Sequence, residues 1–273
     1  MSVELFHGDC FEYLQKIPDN SIDLILTDPP YGVTACAWDE KPDLSRFFQE
    51  VWRVLQPKGA CVVFGSEPFS SEVRLANRQF YRYDWIWDKK RGSNFQNARH
   101  QPMKSHENIL VFSQRQSTYN PIYWFGKPYK MGGGERRRKI EGLSEKGTVA
   151  SYRSETESKD GRRFPLSIIR FSRDASRIHP TQKPVALLEY LIKTYSHPGE
   201  TVLDPFMGSG STGVACVQTG RKFIGCELDP HFFEVSKRRI SEAPRPPEHG
   251  EVVLVKPNDA QGYLTFGEAE GEA

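Results

Sequence analysis

Ile22-Asp23-Leu24-Ile25-Leu26-Thr27 runs without a break into Asp28-Pro29-Pro30-Tyr31. The first six residues read as a short buried strand, because a brief apolar run bounded by a turn signal suits a strand covered on both faces. Two successive prolines then remove backbone donors and bar a following helix, so the chain stops and leaves a carboxylate and an aromatic ring at the strand's carboxyl end. In an open α/β sheet, ligands bind beyond those ends. An Asp-Pro pair can also serve only as a turn, but a strand leading straight into Asp-Pro-Pro-Tyr favours a site.

Outward from this strand, Gly59-Ala60-Cys61-Val62-Val63-Phe64-Gly65 reads as a second strand. Between the two, Phe47, Phe48, Val51, Val54 and Leu55 recur at helical spacing and predict a helix over about 44–55. A second unit begins after Pro184. It has a helix over 185–195, a strand at 201–203, a glycine-rich loop, a helix through Val214-Ala215-Cys216 and a strand at 222–226. With a first strand at 3–7, the alternation predicts an α/β, Rossmann-like fold whose mostly parallel sheet is covered on both faces.

Residues 92–177 break the alternation and read as an insert, while 1–91 and 178–240 form the main domain. Within that insert, residues 127–177 carry fourteen Lys or Arg against seven Asp or Glu. Residues 241–273 read as a partly disordered tail with one candidate strand at 251–255. Over 273 residues, 37% are hydrophobic and 26% charged, enough for one large domain with a sizeable core. No apolar run approaches the roughly 20 residues of a membrane span, and the first residues lack a leader pattern, so a soluble cytoplasmic protein without membrane contact is expected. The five cysteines lie far apart with no C-x-x-C spacing, which points to neither a disulfide frame nor a metal site.

Asp204-Pro205-Phe206-Met207-Gly208-Ser209-Gly210-Ser211-Thr212-Gly213 follows a strand and opens a helix. Glycine there lets backbone approach a ligand closely. A lone Gly-x-Gly also fits a tight turn, but no lysine follows as in a phosphate-gripping loop. Glu227 ends the next strand, where an acid can accept both hydroxyls of a ribose. His179-Pro180-Thr181-Gln182-Lys183-Pro184 precedes a helix, whose first turn Pro184 could simply occupy. Asp9 follows the first strand, where it could cap a helix over 11–15.

Asp28-Pro29-Pro30-Tyr31 resembles the amine-methylation motif of the amino-type DNA methyltransferases, and the glycine loop with Glu227 resembles the S-adenosylmethionine site of Rossmann-like methyltransferases. The order, catalytic tetrapeptide first, basic insert next and cofactor loop last, resembles the β-type permutation of that family, over residues 3 to about 240. The resemblance implies that Asp28 and a proline carbonyl accept hydrogen bonds from an exocyclic amine while Tyr31 stacks on a flipped base. It implies S-adenosylmethionine as cofactor, with Asp204, Pro205, Phe206, Gly208, Ser209, Gly210 and Thr212 along it and Glu227 on its ribose. Thr181 and Lys183 would reach its methionine end, and Asp9 would lie near its adenine.

The basic insert becomes the target-recognition region for double-stranded DNA. There Arg136, Arg137, Arg138, Lys139, Arg162 and Arg163, with Lys127 and Lys130, can contact phosphates, and some of the arginines can read guanine edges, although a charge run alone is usually a solvated face. Trp85-Ile86-Trp87 resembles a segment bordering the base pocket, with Trp87 toward the base and Trp85 in an ordinary half-buried strand.

Asp at the first motif position leans toward adenine N6, and cytosine N4 is the runner-up. A non-catalytic DNA-binding regulator with the same fold is the rival from another class, disfavoured by the intact amine and cofactor motifs. A bacterial or phage source, a homodimer and a cognate restriction endonuclease accord with the resemblance.

Overall fold

The structure, a computed structural model, describes residues 2–32, 40–131, 134–138, 149–153, 156–174 and 182–245. Its first half contains β1 (Val3–His7), α1 (Cys10–Leu14), β2 (Ile22–Thr27), α2 (Leu44–Val54), β3 (Leu55–Gly65), α3 (Phe69–Ala76), β4 (Tyr81–Ser93) and β5 (Lys104–Phe112). Short strands follow: β6 (Trp124–Phe125), β7 (Tyr129–Met131), β8 (Gly134–Arg138), β9 (Val149–Arg153), β10 (Thr156–Ser158), β11 (Arg162–Arg163) and β12 (Ile168–Arg170). The last part is α4 (Val185–Tyr195), β13 (Thr201–Asp204), α5 (Ser211–Thr219), β14 (Lys222–Glu227) and α6 (Pro230–Ser241).

Eight strands form the central sheet in the order β1-β14-β13-β2-β3-β5-β4-β12. Every neighbouring pair is parallel except those that β5 makes with β3 and β4. At the middle of the sheet β2 pairs with β13, Leu24 with Val202 and Ile25 with Leu203. The alternation of side chains along a strand separates two cores. Leu24, Leu26, Ala60, Val62 and Phe64 pack beneath α4, α5 and α6. Ile25, Cys61 and Val63 face α1, α2 and α3. Buried on both sides, these strands read as continuous apolar runs rather than alternating ones.

Aspartates cap α1, α2 and α6. Asp43 accepts hydrogen bonds from the Ser45 and Arg46 amides at 2.9 and 3.1 Å, and Asp229 accepts from His231 and Phe232 at 2.8 and 3.0 Å. Each satisfies two helix-end donors that would otherwise have no partner. On the other face Trp85 is buried, its indole N–H donating to the Tyr195 hydroxyl at 2.6 Å.

The expected insert over 92–177 is not one block. Its segments Lys104–Phe112 and Ile168–Arg170 belong to the central sheet, and β4 itself extends to Ser93. The apolar stretch Ile109 to Phe112 is fully buried, and that burial draws β5 into the sheet. Outside the sheet, β6 pairs with β11, β7 with β10 and β8 with β9. The candidate strand at 251–255 and the tail beyond residue 245 lie outside the described residues.

Gly213 lets α5 approach α6 and β14. A Cβ there would stand 2.4 Å from Ile240 Cδ1 and 2.7 Å from Phe223 Cε1. Gly213→Ala is therefore expected to lower stability by about 1–3 kcal/mol, the usual cost of overpacking. Urea denaturation of the variant beside the wild type measures it.

Candidate active site

Asp28 leaves the end of β2 and enters a cavity of about 800 Å³. Its side chain is 21% exposed and both its oxygens are engaged. Tyr31 donates its hydroxyl to Oδ1 at 2.6 Å, and the Lys183 ammonium donates to Oδ2. The Tyr31 ring stacks on Phe69 with centroids 4.9 Å apart. The two prolines line the same cavity.

Asp204 ends the adjacent strand and is buried. Oδ1 accepts the Thr27 hydroxyl at 2.8 Å and the Phe206 amide at 3.1 Å, while Oδ2 accepts the Thr212 hydroxyl at 2.7 Å. Burial pushes the Asp204 pKa up to about 6, against the opposing effect of these donors. The loop then turns through Gly208, at φ 52°, where an added Cβ would meet nothing within 4 Å. That open space belongs to the cavity, also lined by Pro205, Phe206, Ser209 and Thr212. Gly210 instead packs away from it, since a Cβ there would strike Ser236 Cβ at 2.7 Å.

Glu227 Oε2 accepts the Gly208 amide and Oε1 the Asp229 amide, both at 2.8 Å, and burial raises its pKa. The acid thus shapes the loop as well as lining the cavity. Asp9 caps α1 through the Phe11 amide at 2.8 Å and also borders the cavity. Thr181 lies outside the described residues.

Lys183 departs from expectation. Its ammonium lies between Asp28 and Glu107, with Glu107 Oε2 at 3.4 Å. Glu107 Oε1 in turn stands 3.1 Å from Lys89 Nζ. Four charges of alternating sign therefore run across the sheet edge from β4 to β2. Burial works against the Lys183 ammonium, but Asp28 and Glu107 more than offset it and hold its pKa above that of an ordinary lysine. Glu107 is held below the usual carboxylate range because Lys183 and Lys89 outweigh its burial. Burial raises Asp28 despite the attraction of Lys183.

Sequence reasoning gave Glu107 no chemistry. The available signal was an acid two residues ahead of the apolar run Ile109–Phe112, and only the reversed direction of β5 brings it to the cavity beside Asp28. Arg239 was likewise missed; its guanidinium clamps the loop through the Ser209 carbonyl at 2.5 Å and hydroxyl at 2.9 Å.

Trp87 borders the cavity, buried, with its indole N–H on the Phe171 carbonyl at 3.0 Å. The basic candidates divide. Arg163 lies over the Tyr129 ring at 4.1 Å and donates to Ser158 Oγ and the Gly161 carbonyl, so its guanidinium is committed to folding this segment. Arg162 is exposed and pairs with Asp160. Arg136, Arg137 and Arg138 form part of β8, described by backbone alone, and Lys139 lies outside the described residues.

Asp28, the glycine loop and the strand-end acid Glu227 thus share one cavity at the carboxyl ends of the parallel strands. A DNA methylase family model of the N6/N4 type matches residues 22–238, and the chain belongs to that family. It is 29% identical over 260 residues to the DNA adenine methyltransferase YhdJ of Escherichia coli K12, covering 88% of this chain and 83% of that protein. Among solved structures, the M1.HpyAVI–SAM complex superposes with a TM-score of 0.56 at 25% identity, over 87% of this chain and 99% of that one. The cytosine-N4-specific PvuII DNA methyltransferase shares the fold, with a TM-score of 0.62 at 18% identity over 88% and 86% of the two chains.

Two outcomes follow from the buried charges. The raised pKa of Asp204 contributes stability that is complete below about pH 4 and is lost as pH rises through 6, on the order of 3 kcal/mol in all. In thermal melts of the ligand-free protein, Tm is expected to fall between pH 4.5 and 7 by more in the wild type than in Asp204→Asn. Glu107→Gln leaves two buried ammonium groups short of a counter-charge. It should cost about 3–5 kcal/mol in urea denaturation, as breaking a buried pair does.

Proposed function

We propose that this chain transfers the methyl group of S-adenosylmethionine to N6 of adenine in double-stranded DNA, with the target base swung out of the duplex. One observation carries the reading: Asp28 and the Asp204–Gly208 loop open into the same cavity, so an amine held at one faces a methyl donor held at the other. The E. coli relative, named an adenine methyltransferase, points to the same base.

The residues present fit the cofactor. The space above Gly208 is free of side chains, Phe206 gives an apolar wall, and Glu227 and Asp9 offer carboxylate oxygens for hydroxyl or amine groups. When bound, S-adenosylmethionine supplies an electrophilic methyl on a sulfonium that is already a good leaving group.

The remaining work falls to the protein. An exocyclic amine is a poor nucleophile because its lone pair is delocalised into the ring. Asp28 and the Pro29 carbonyl each accept one of its N–H bonds, which draws the nitrogen toward tetrahedral geometry and aims the lone pair at the methyl group. Lys183 and Tyr31 fix the carboxylate in position without removing its capacity to accept, since an ionised carboxylate has about four lone-pair sites. Tyr31, braced by Phe69, is the stacking surface for a base whose unstacking costs a few kcal/mol. Basic residues of the segment between β5 and β12, Arg136 to Arg138 among them, supply phosphate contacts.

Cytosine N4 satisfies the same amine geometry, and the PvuII neighbour is named for that specificity. The deciding experiment incubates the protein with S-adenosylmethionine and unmethylated duplex DNA, digests the DNA to nucleosides and identifies the methylated base by mass spectrometry. N6-methyladenine is expected; N4-methylcytosine would keep the mechanism and change the base. Asp28→Ala should lower transfer by at least about 10²–10³-fold with cofactor binding retained. Normal turnover in that variant, or cofactor binding without turnover in the wild type, would overturn the catalytic reading.

A further inference from the structure

The hairpin joining β4 to β5 has features that the transfer site does not use. β4 runs parallel to β2, because each is antiparallel to β5 or parallel to a strand that is. Its far end therefore leaves the sheet on the same edge as Asp28 and Asp204. Trp87 and Glu107, opposite one another across the two strands, line the cavity. From Glu107 back to Lys104 the hairpin continues for roughly another 10 Å, at about 3.3 Å per residue, before its tip begins.

The composition of this finger is one-sided. Residues 89–106 contain five Lys or Arg and no Asp or Glu. Lys89 is turned inward to Glu107 and Lys104 bonds Ser66, which leaves Lys90, Arg91 and Arg99 as the exposed cations. At the tip, Phe95 is 75% exposed and Met103 50%.

The tip is built rather than slack. Asn94 takes the left-handed conformation at φ 65° and starts a 3-10 turn over Phe95–Asn97. The turn is closed by Asn97 N–H to the Asn94 carbonyl at 3.1 Å and Ala98 N–H to the Phe95 carbonyl at 3.1 Å, and His100 N–H bonds the Asn97 carbonyl at 2.9 Å. The register between β4 and β5 shifts between Asp88 and Ser93, with Lys90 at φ 61° and its amide on Asp88 Oδ1 at 2.8 Å. Such bulges re-aim the strand that carries them.

A single exposed aromatic is ordinary on a protein surface. An aromatic held outward on an acid-free basic finger, beside the cavity that must receive a flipped base, is a different combination. We infer that the β4–β5 hairpin is a DNA wedge: Lys90, Arg91 and Arg99 grip phosphates while Phe95 enters the base stack next to the target nucleotide. Apolar side chains inserted between base steps unstack them, and an aromatic ring can take over the stacking that the departing base gives up. The inference rests on the reading of the chain as a DNA methyltransferase.

The test uses the full chain with S-adenosylmethionine and unmethylated duplex DNA. Phe95→Ala is expected to lower kcat/KM for the duplex at least tenfold while leaving the melting temperature and cofactor affinity unchanged, and Phe95→Trp to restore most of the loss. Separately, Arg91→Gln with Arg99→Gln should flatten the slope of log K against log salt for random-sequence duplex by about two phosphate contacts, each near 0.9. Wild-type methylation of DNA with an unaltered Phe95→Ala rate, or an unaltered salt slope, overturns the wedge and leaves the function standing. A wild type that methylates no DNA overturns the function itself.

Discussion

The buried carboxylate of Asp204 is the constraint on which the site depends. It accepts the hydroxyls of Thr27 and Thr212 and the amide of Phe206, and so joins the end of β2, the glycine loop and the helix that follows it. Burying a charge is expensive unless it is well bonded. Here three donors offset part of that cost, and the pKa of about 6 records what they leave. In return the end of β2 and the start of the glycine loop cannot slide relative to one another. Methyl transfer between two bound groups demands that rigidity, since misplacement by about 1 Å can cost a hundredfold in rate.

The second constraint is electrostatic and runs across the sheet edge. Asp28 carries its charge at the cavity wall with its side chain only 21% exposed. A single ammonium beside it would hold the charge but compete with the substrate for the carboxylate. Lys183 is instead shared with Glu107, which is itself balanced by Lys89. β5 explains how Glu107 comes to be there. An antiparallel strand in a parallel sheet brings its beginning, not its end, to the ligand-binding edge, so an acid near the start of β5 meets one just past the end of β2.

Much of this was legible from the residues. The runs at 22–27, 185–195, 201–204 and 222–227 were found to within one residue, because each is a buried run closed by proline, glycine or an acid, and those are local signals. β3 begins four residues earlier than its apolar run, and α1 lies one residue earlier than expected because Asp9 caps it. What could not be read was strand order. Nothing in the periodicity of Lys104–Phe112 tells that it lies between β3 and β4, so the sequence does not show that this strand belongs to the central sheet. Lys183 illustrates the same limit, since its partners stand 155 and 76 positions away in the chain and no spacing rule connects them.

The position of β13 between β2 and β14 has a consequence for synthesis. The partner that closes the middle of the sheet against β2 arrives 177 residues after it, in the bond from Thr27 to Asp204. A nascent chain that has emerged only as far as α4 therefore has β2 without its central neighbour and β1 without β14 to pair with. Contacts of such long sequence separation form late, because the intervening loop must be closed first. The ribosome thus holds an incomplete sheet until the final third of the domain is made. The end of β2, although translated early, gains its bond to the start of the glycine loop only once that loop has been made.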